Sequence, residues 1–416
     1  MNPLTAYMAY RQVMRSQWLT AAERRAQQDA KLRRLVRHAY ETVPFYRARM
    51  QHAGVKPDDI RSQDDLSKLT PINRADIQAA GYDSFLSSLY RPKALTAEHT
   101  SGSSGQPLTT YFDARFVAVR NALFLRALMA AGYRVGKKVM LLTNTASKRP
   151  KPWLRWRYVS ICEKAEDLFK EFNHYRPDIL YGCMTSLRQL ANYCATRRMV
   201  CHSPQAVIST AEGLDSATRI LLYDVFKADV YDSYGMTEMG MVAWECPAHD
   251  GYHVSEDSVI VEFVADQACD GTRMIMTNLD LYGMPLIRYM TGDLAITGSA
   301  EACVCGRTLR RIDRIEGRVL DSITRADGHT LSPYRFTLAI EKILDIGRYQ
   351  LVQLAAGEFL LRVEGEADGR EGLADTAHKV ISDAIGEDIR LHLSFEQCLD
   401  PPAGRTYRVV ENRVTV

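Results

Sequence analysis

The chain has 416 residues, 46% of them hydrophobic and 25% charged, which is enough to bury a large core and to build more than one domain. Its 53 Lys and Arg against 50 Asp and Glu leave a formal charge of +3, too near neutrality to point to a nucleic-acid partner. No apolar run reaches the length of a bilayer span, Met1-Asn2-Pro3-Leu4-Thr5 lacks a signal-peptide core, and nine cysteines form no regular disulfide framework, so a reduced, cytoplasmic setting is expected.

In chain order, residues 5–60 read as helices. Leu32, Leu35, Val36 and Ala39 recur at helical spacing, with Arg33, Arg34 and Arg37 on other, solvated faces. Val43-Pro44-Phe45-Tyr46-Arg47 breaks that run, because Pro44 disfavours helical backbone at Val43. Asn73 is the N-cap of a further helix. Thr100-Ser101-Gly102-Ser103-Ser104-Gly105-Gln106-Pro107 then packs two glycines and four hydroxyls into eight residues. Such a composition suits either a surface linker or a loop whose N–H and hydroxyl donors wrap a phosphate. It lacks the Gly-Lys-Ser/Thr ending of a P-loop.

Beyond the loop, Leu108-Thr109-Thr110-Tyr111-Phe112 is a short strand. A helix runs from Ala114 to about Ala131, and residues 138–143 form an apolar strand, beginning an alternation that implies a mostly parallel, buried sheet. Residues 148–157, basic and carrying Trp153 and Trp156, read as a surface insertion or subunit contact. Ala206-Val207-Ile208-Ser209-Thr210 is a buried strand that leads into Ala211-Glu212-Gly213, a place where α/β sheets hold ligands. In Tyr234-Gly235-Met236-Thr237-Glu238-Met239-Gly240 a strand ends in a turn carrying a hydroxyl beside a carboxylate. The hydroxyl can bond a phosphate oxygen and the carboxylate can ligate Mg2+, although Thr-Glu is also a common helix cap. Asp293, in Thr291-Gly292-Asp293, can hold ribose hydroxyls or close an ordinary turn.

Taken in order, residues 100–107, 234–240, 291–293 and Arg314-Ile315-Glu316-Gly317-Arg318 resemble the adenylate-forming superfamily of acyl-CoA synthetases, adenylation domains and luciferases. Val43-Pro44-Phe45-Tyr46-Arg47 and Cys303-Val304-Cys305-Gly306-Arg307-Thr308 resemble its phenylacetate–CoA ligase branch in particular. The resemblance implies an α/β fold: a large N-terminal domain (1–318) with mixed sheets flanked by helices, and a small mobile α+β lid (319–416). In the lid, residues 349–363 and 389–395 read as strands and 370–385 as a helix.

The implied reaction activates a carboxylic acid, an aryl or arylacetic one in this branch, as its adenylate at the expense of ATP. It then passes the acyl group to CoA or a carrier pantetheine. Under the resemblance Ser101, Gly102, Ser103, Ser104 and Gly105 hold the departing phosphates, Ala211 and Glu212 line the adenine pocket, and Tyr234 stacks on adenine beside Gly235. Thr237 binds the α-phosphate, Glu238 ligates Mg2+, and Asp293 with Arg314 or Arg318 holds the ribose. Tyr181, Gly182, Cys183 and Met184 are assigned to the acyl pocket. Cys246, Cys303 and Cys305, with His253 by resemblance or His249 as the alternative, make a candidate structural zinc set.

Three positions depart from the family pattern. Gln106 replaces a common Lys, Leu320 followed by Asp321 stands at the hinge, and Gly404-Arg405 replaces the Gly-Lys pair that delivers the catalytic lysine. A carrier protein or an amine as acceptor, and a degenerate nucleotide-binding scaffold, are the alternatives. Gln106 and Arg405 favour the scaffold, while Thr237, Glu238 and Asp293 oppose it. Relatives of this branch are often dimers, and the N-terminal helices or residues 148–157 are the candidate homodimer surfaces.

Overall fold

The computed structural model describes residues 2–99, 108–143, 154–265, 269–270, 272–299, 301–341, 343, 348–368, 371–399 and 407–414. They gather into two compact units. One comprises residues 1–131, 233–264 and 273–314, and the other residues 132–232, 265–272 and 315–416.

The first unit begins with helices Pro3–Ser16, Ala21–Thr42 and Pro44–His52. A capping box between Thr20 and Glu23 starts the second helix, and extended backbone at Val43 ends it before Pro44. Its Leu32, Leu35, Val36 and Ala39 are fully buried. Helix Ala114–Ala130 presents Ala118, Ala122 and Ala127 to Ala9 and Val13, small residues that let the two helices pack into one cluster with Trp244. Buried charges tie these helices to the strands. Arg126 holds the Asp257 carboxylate with two bonds of 3.0 Å, and Lys31 Nζ reaches Asp280 at 2.7 Å and the Asp257 carbonyl at 2.6 Å. Strand order here is Val259–Ala265, Thr272–Asn278, Tyr289–Thr297, Arg311–Arg318, Tyr252–Val254, Gly240–Glu245, Asp229–Met236. The hairpins are antiparallel. A separate pair, Thr96–His99 against Thr109–Phe112, sets His99 opposite Thr109, so the chain leaves and re-enters at one point on either side of residues 100–107.

The second unit holds parallel strands in the order Trp156–Ser160, Val139–Thr143, Ile179–Cys183, Ala206–Thr210, with helices Ala165–Tyr175, Met184–Thr196 and Ser216–Phe226 between them in sequence. Burial on both faces explains the continuous apolar run at Val139-Met140-Leu141-Leu142. Trp156 departs from the expected surface insertion. It opens a sheet strand whose partner is Val139, and its indole N–H lies 3.3 Å from the Tyr133 hydroxyl. Residues 148–153 lie outside the described residues.

The C-terminal part is a small α+β assembly. Strands Arg390–Glu396, Glu358–Glu364, Tyr349–Ala355 and Val410–Asn412 lie in that order, and helices Pro333–Ile340 and Leu373–Ile385 pack into their core. In Glu358–Glu364 every second residue (Phe359, Leu361, Val363) is buried, as a strand with one covered face requires. No helix among the described residues is long and apolar enough to cross a membrane.

Candidate active site

In the first unit the strand Asp229–Met236 slips register between Tyr234 and Gly235 as it pairs with Gly240–Glu245. A Cβ at Gly235 would stand 2.8 Å from the Gly240 carbonyl oxygen, so this bulge admits only glycine. The bulge leads into the turn carrying half-buried Thr237 and buried Glu238. The Tyr234 phenol donates to the Asp293 carboxylate. Asp293 follows Gly292, whose φ of 80° suits glycine, and its N–H donates to the Thr291 hydroxyl at 3.1 Å.

Glu238 is 4% exposed. Burial pushes its carboxyl above the ordinary range and the Asp293 charge adds to this, while Arg74 and the Tyr289 phenol, 3.4 Å away, pull the other way. A desolvated carboxylate with a like charge nearby is a site that a hard dication compensates, so these residues fit Mg2+. Arg314 is exposed and Arg318 half-buried, and both lie on the strand Arg311–Arg318.

In the second unit Tyr181, Gly182 and Cys183 end the strand Ile179–Cys183, and Met184 opens the next helix. Gly182 is packed so closely that a Cβ would meet Leu142 Cβ at 2.8 Å. Burial and the Glu212 charge raise the Cys183 thiol, whose Sγ lies 3.1 Å from the Ser186 hydroxyl. At neutral pH it stays protonated and is a poor nucleophile. Ala211, at φ 68°, takes left-handed backbone just past the strand Ala206–Thr210, the kind of strain found at ligand loops. Burial pushes the Glu212 carboxyl up, offset by the Thr185 N–H and hydroxyl, both at 2.7 Å. The bond from the Tyr407 N–H offsets it further. Glu212 is thereby the anchor of a helix start, a role that Thr185 at the second helical position signals locally and that sequence reasoning missed.

Cys246, His253, Cys303 and Cys305 bring their donor atoms within 4.8 Å of one another. Cys246 and Cys303 Sγ stand 3.7 Å apart, and Cys305 Sγ lies 3.3 Å from His253 Nε2. Thiolates sharing one tetrahedral zinc at their usual bond length stand about 3.8 Å apart, so the set fits that ion. Burial, then Arg307 and Arg311, push His253 down to about 4, leaving the neutral imidazole that ligates metal. His249 is not in this group, and its ring lies 3.5 Å from Glu245. Ser101 to Gly105 and Arg405 fall outside the described residues.

No protein-family model matches the chain. It is 29% identical over 407 residues to a phenylacetate-coenzyme A ligase of Thermus thermophilus, covering 90% of this chain and 88% of that protein. It is 26% identical over 428 residues to the phenylacetate-coenzyme A ligase of Aromatoleum evansii, covering 94% and 95%. Over nearly its whole length the chain is thus similar to phenylacetate–CoA ligases. Its fold is shared with a 2-hydroxyisobutyryl-CoA ligase solved in the postadenylation state with R3-HIB-AMP. The TM-score is 0.80 at 21% identity, over 96% of this chain and 92% of that one.

Proposed function

We propose that this chain is a cytoplasmic, ATP- and Mg2+-dependent ligase of the adenylate-forming type that activates an aryl or arylacetic acid as its adenylate and transfers the acyl group to CoA. A carboxylate oxygen of the acid attacks the α-phosphorus as the bond to pyrophosphate breaks. The CoA thiolate then attacks the acyl carbon as the bond to AMP breaks. The observation that carries this reading is the arrangement of Glu238, buried and under-compensated, in the same unit as the Tyr234–Asp293 pair.

The Tyr234 phenol fixes the Asp293 carboxylate for the ribose hydroxyls, with Arg314 or Arg318 as its cationic partner toward the nucleotide. The Thr237 hydroxyl serves the α-phosphate, and Glu238 would hold Mg2+, which supplies charge neutralisation to the phosphoryl oxygens. Ser101, Gly102, Ser103, Ser104 and Gly105 receive pyrophosphate. Ala211 shapes the adenine loop that Glu212 anchors, and residues 181–184 contact the acid. Residues 319–416 form the lid.

Purified protein with ATP and Mg2+, offered phenylacetate and a panel of aryl and aliphatic acids with hydroxylamine as trap, is expected to release pyrophosphate with one acid class only. ATP binding without release on any acid would overturn the ligase in favour of the scaffold. In the same assay Arg405→Ala is expected to lower release at least about tenfold, since a charge aimed at the phosphoryl oxygens is lost. Unchanged release removes Arg405 from the chemistry.

The Cys246, His253, Cys303 and Cys305 group is assigned to a structural zinc that joins segments more than 50 residues apart in sequence. With four protein ligands it leaves no position for substrate. Elemental analysis is expected to find about one zinc per chain, and Cys303→Ser is expected to lose it together with thermal stability. Less than about a fifth of a zinc in protein purified without chelator rejects the assignment.

A further inference from the structure

The second unit contains a buried ionic seat that the proposed chemistry leaves unused. Glu364, at the end of the strand Glu358–Glu364, accepts from Arg188 on the helix Met184–Thr196, which follows the segment assigned to the acid. Its other oxygen lies 3.7 Å from Arg348 and accepts the Leu399 N–H at 3.1 Å. The Arg188 side chain is 6% exposed and that of Arg348 1%. Arg348 in turn lies over the Tyr407 ring at 3.8 Å. Tyr407 is held at three further points: its ring packs with Met184 and Leu399, its hydroxyl donates to the Tyr349 carbonyl, and its N–H donates to Glu212.

We infer that Glu364, bridging Arg188 and Arg348, is a positioning residue that seats the C-terminal segment on the acyl-side helix for adenylate formation. Two desolvated guanidiniums on one carboxylate hold only while both strands of chain stay in place. Removing that carboxylate leaves buried charge that favours separation. Arg405, the residue proposed to act on the phosphoryl oxygens, precedes Tyr407 by two positions in the sequence. A group that must arrive at a phosphoryl oxygen loses rate steeply when its mount is loosened. This inference rests on the ligase reading for its kinetic consequence.

Glu364→Gln keeps the size and deletes the charge. With phenylacetate as the probe acid, pyrophosphate release should fall by about ten- to a hundredfold, while CoA thioester formation from supplied phenylacetyl-adenylate stays within about twofold. Adding Arg188→Gln should lower release little further, since both changes break one seat. Hydrogen exchange gives a readout free of turnover: protection of the 407–410 amides should drop at least about tenfold in Glu364→Gln with the rest of the core unchanged. Equal loss of both half-reactions, unchanged release, or unchanged protection overturns the seat. If the native protein shows neither half-reaction with these probes, the substrate reading fails and the exchange result alone decides the seat.

Discussion

Glu238→Gln is expected to cut acid-dependent pyrophosphate release by about two to three orders of magnitude, the usual loss when one preorganised charge at a phosphoryl centre is removed. The side chain is almost fully buried in the turn after a glycine-only bulge, so it has little freedom to be replaced by a neighbour. Gln keeps the volume and can still accept from the Tyr289 phenol, so the fold is expected to persist. Burial and Asp293 together destabilise the bare carboxylate, and Arg74 compensates in part. The variant should therefore melt no lower than the parent in the absence of nucleotide, and a calorimetric scan checks this. A variant that releases pyrophosphate at the parental rate would overturn the proposed role of Glu238 in holding Mg2+.

Asp257→Ala should have the largest effect on stability, about 3–5 kcal/mol, because it strands Arg126 inside the protein. Asp257 is 2% exposed, accepts two bonds from Arg126 and takes a third from the Ser16 hydroxyl at 2.7 Å. One side chain thus joins the first helix, the helix Ala114–Ala130 and the strand region. Denaturant unfolding would measure the loss, and a change under about 1 kcal/mol would show that the network relaxes around the gap. The same carboxylate sets an acid limit. Burial alone would raise it, but the charges of Arg126 and Lys31 and the bond from Ser16 hold it below its ordinary value. A depressed carboxyl contributes its stability fully above the unfolded value of about 3.9 and loses it as pH falls through the folded value. Asp257→Ala should therefore flatten the acid limb of stability against pH.

What the sequence made legible was local chemistry. The capped helix at Asn73, the apolar helix face at Leu32, Leu35, Val36 and Ala39, and the glycine turns before Glu238 and Asp293 all follow from short-range rules. The short strand Val410–Asn412 carried no pattern strong enough to read, being set by its partner strand Tyr349–Ala355, while the helix Pro333–Ile340 had a start signal in Ser332-Pro333 that sequence reasoning missed. Spacing could not choose between His249 and His253. Strand pairing separates them geometrically, since His253 lies opposite both Trp244 and Arg311 while His249 sits in the turn near Glu245. Trp156 read as surface because its basic neighbours hid a strand edge. The Arg188–Glu364 bond joins residues 176 positions apart, a distance at which no motif operates.

The contact between Gly182 and Leu142 also bears on how acid preference could change during descent. Even a methyl at position 182 collides with the Cβ of Leu142 on the neighbouring strand, so that residue is closed to substitution unless position 142 gives up its own Cβ as glycine. Side chains alternate along a strand, which puts half-buried Tyr181 and Cys183 on the opposite face, away from that collision. Under the proposed pocket, a lineage adopting a bulkier or smaller acid would record that history at 181 and 183, with 182 held as glycine for as long as 142 carries a side chain.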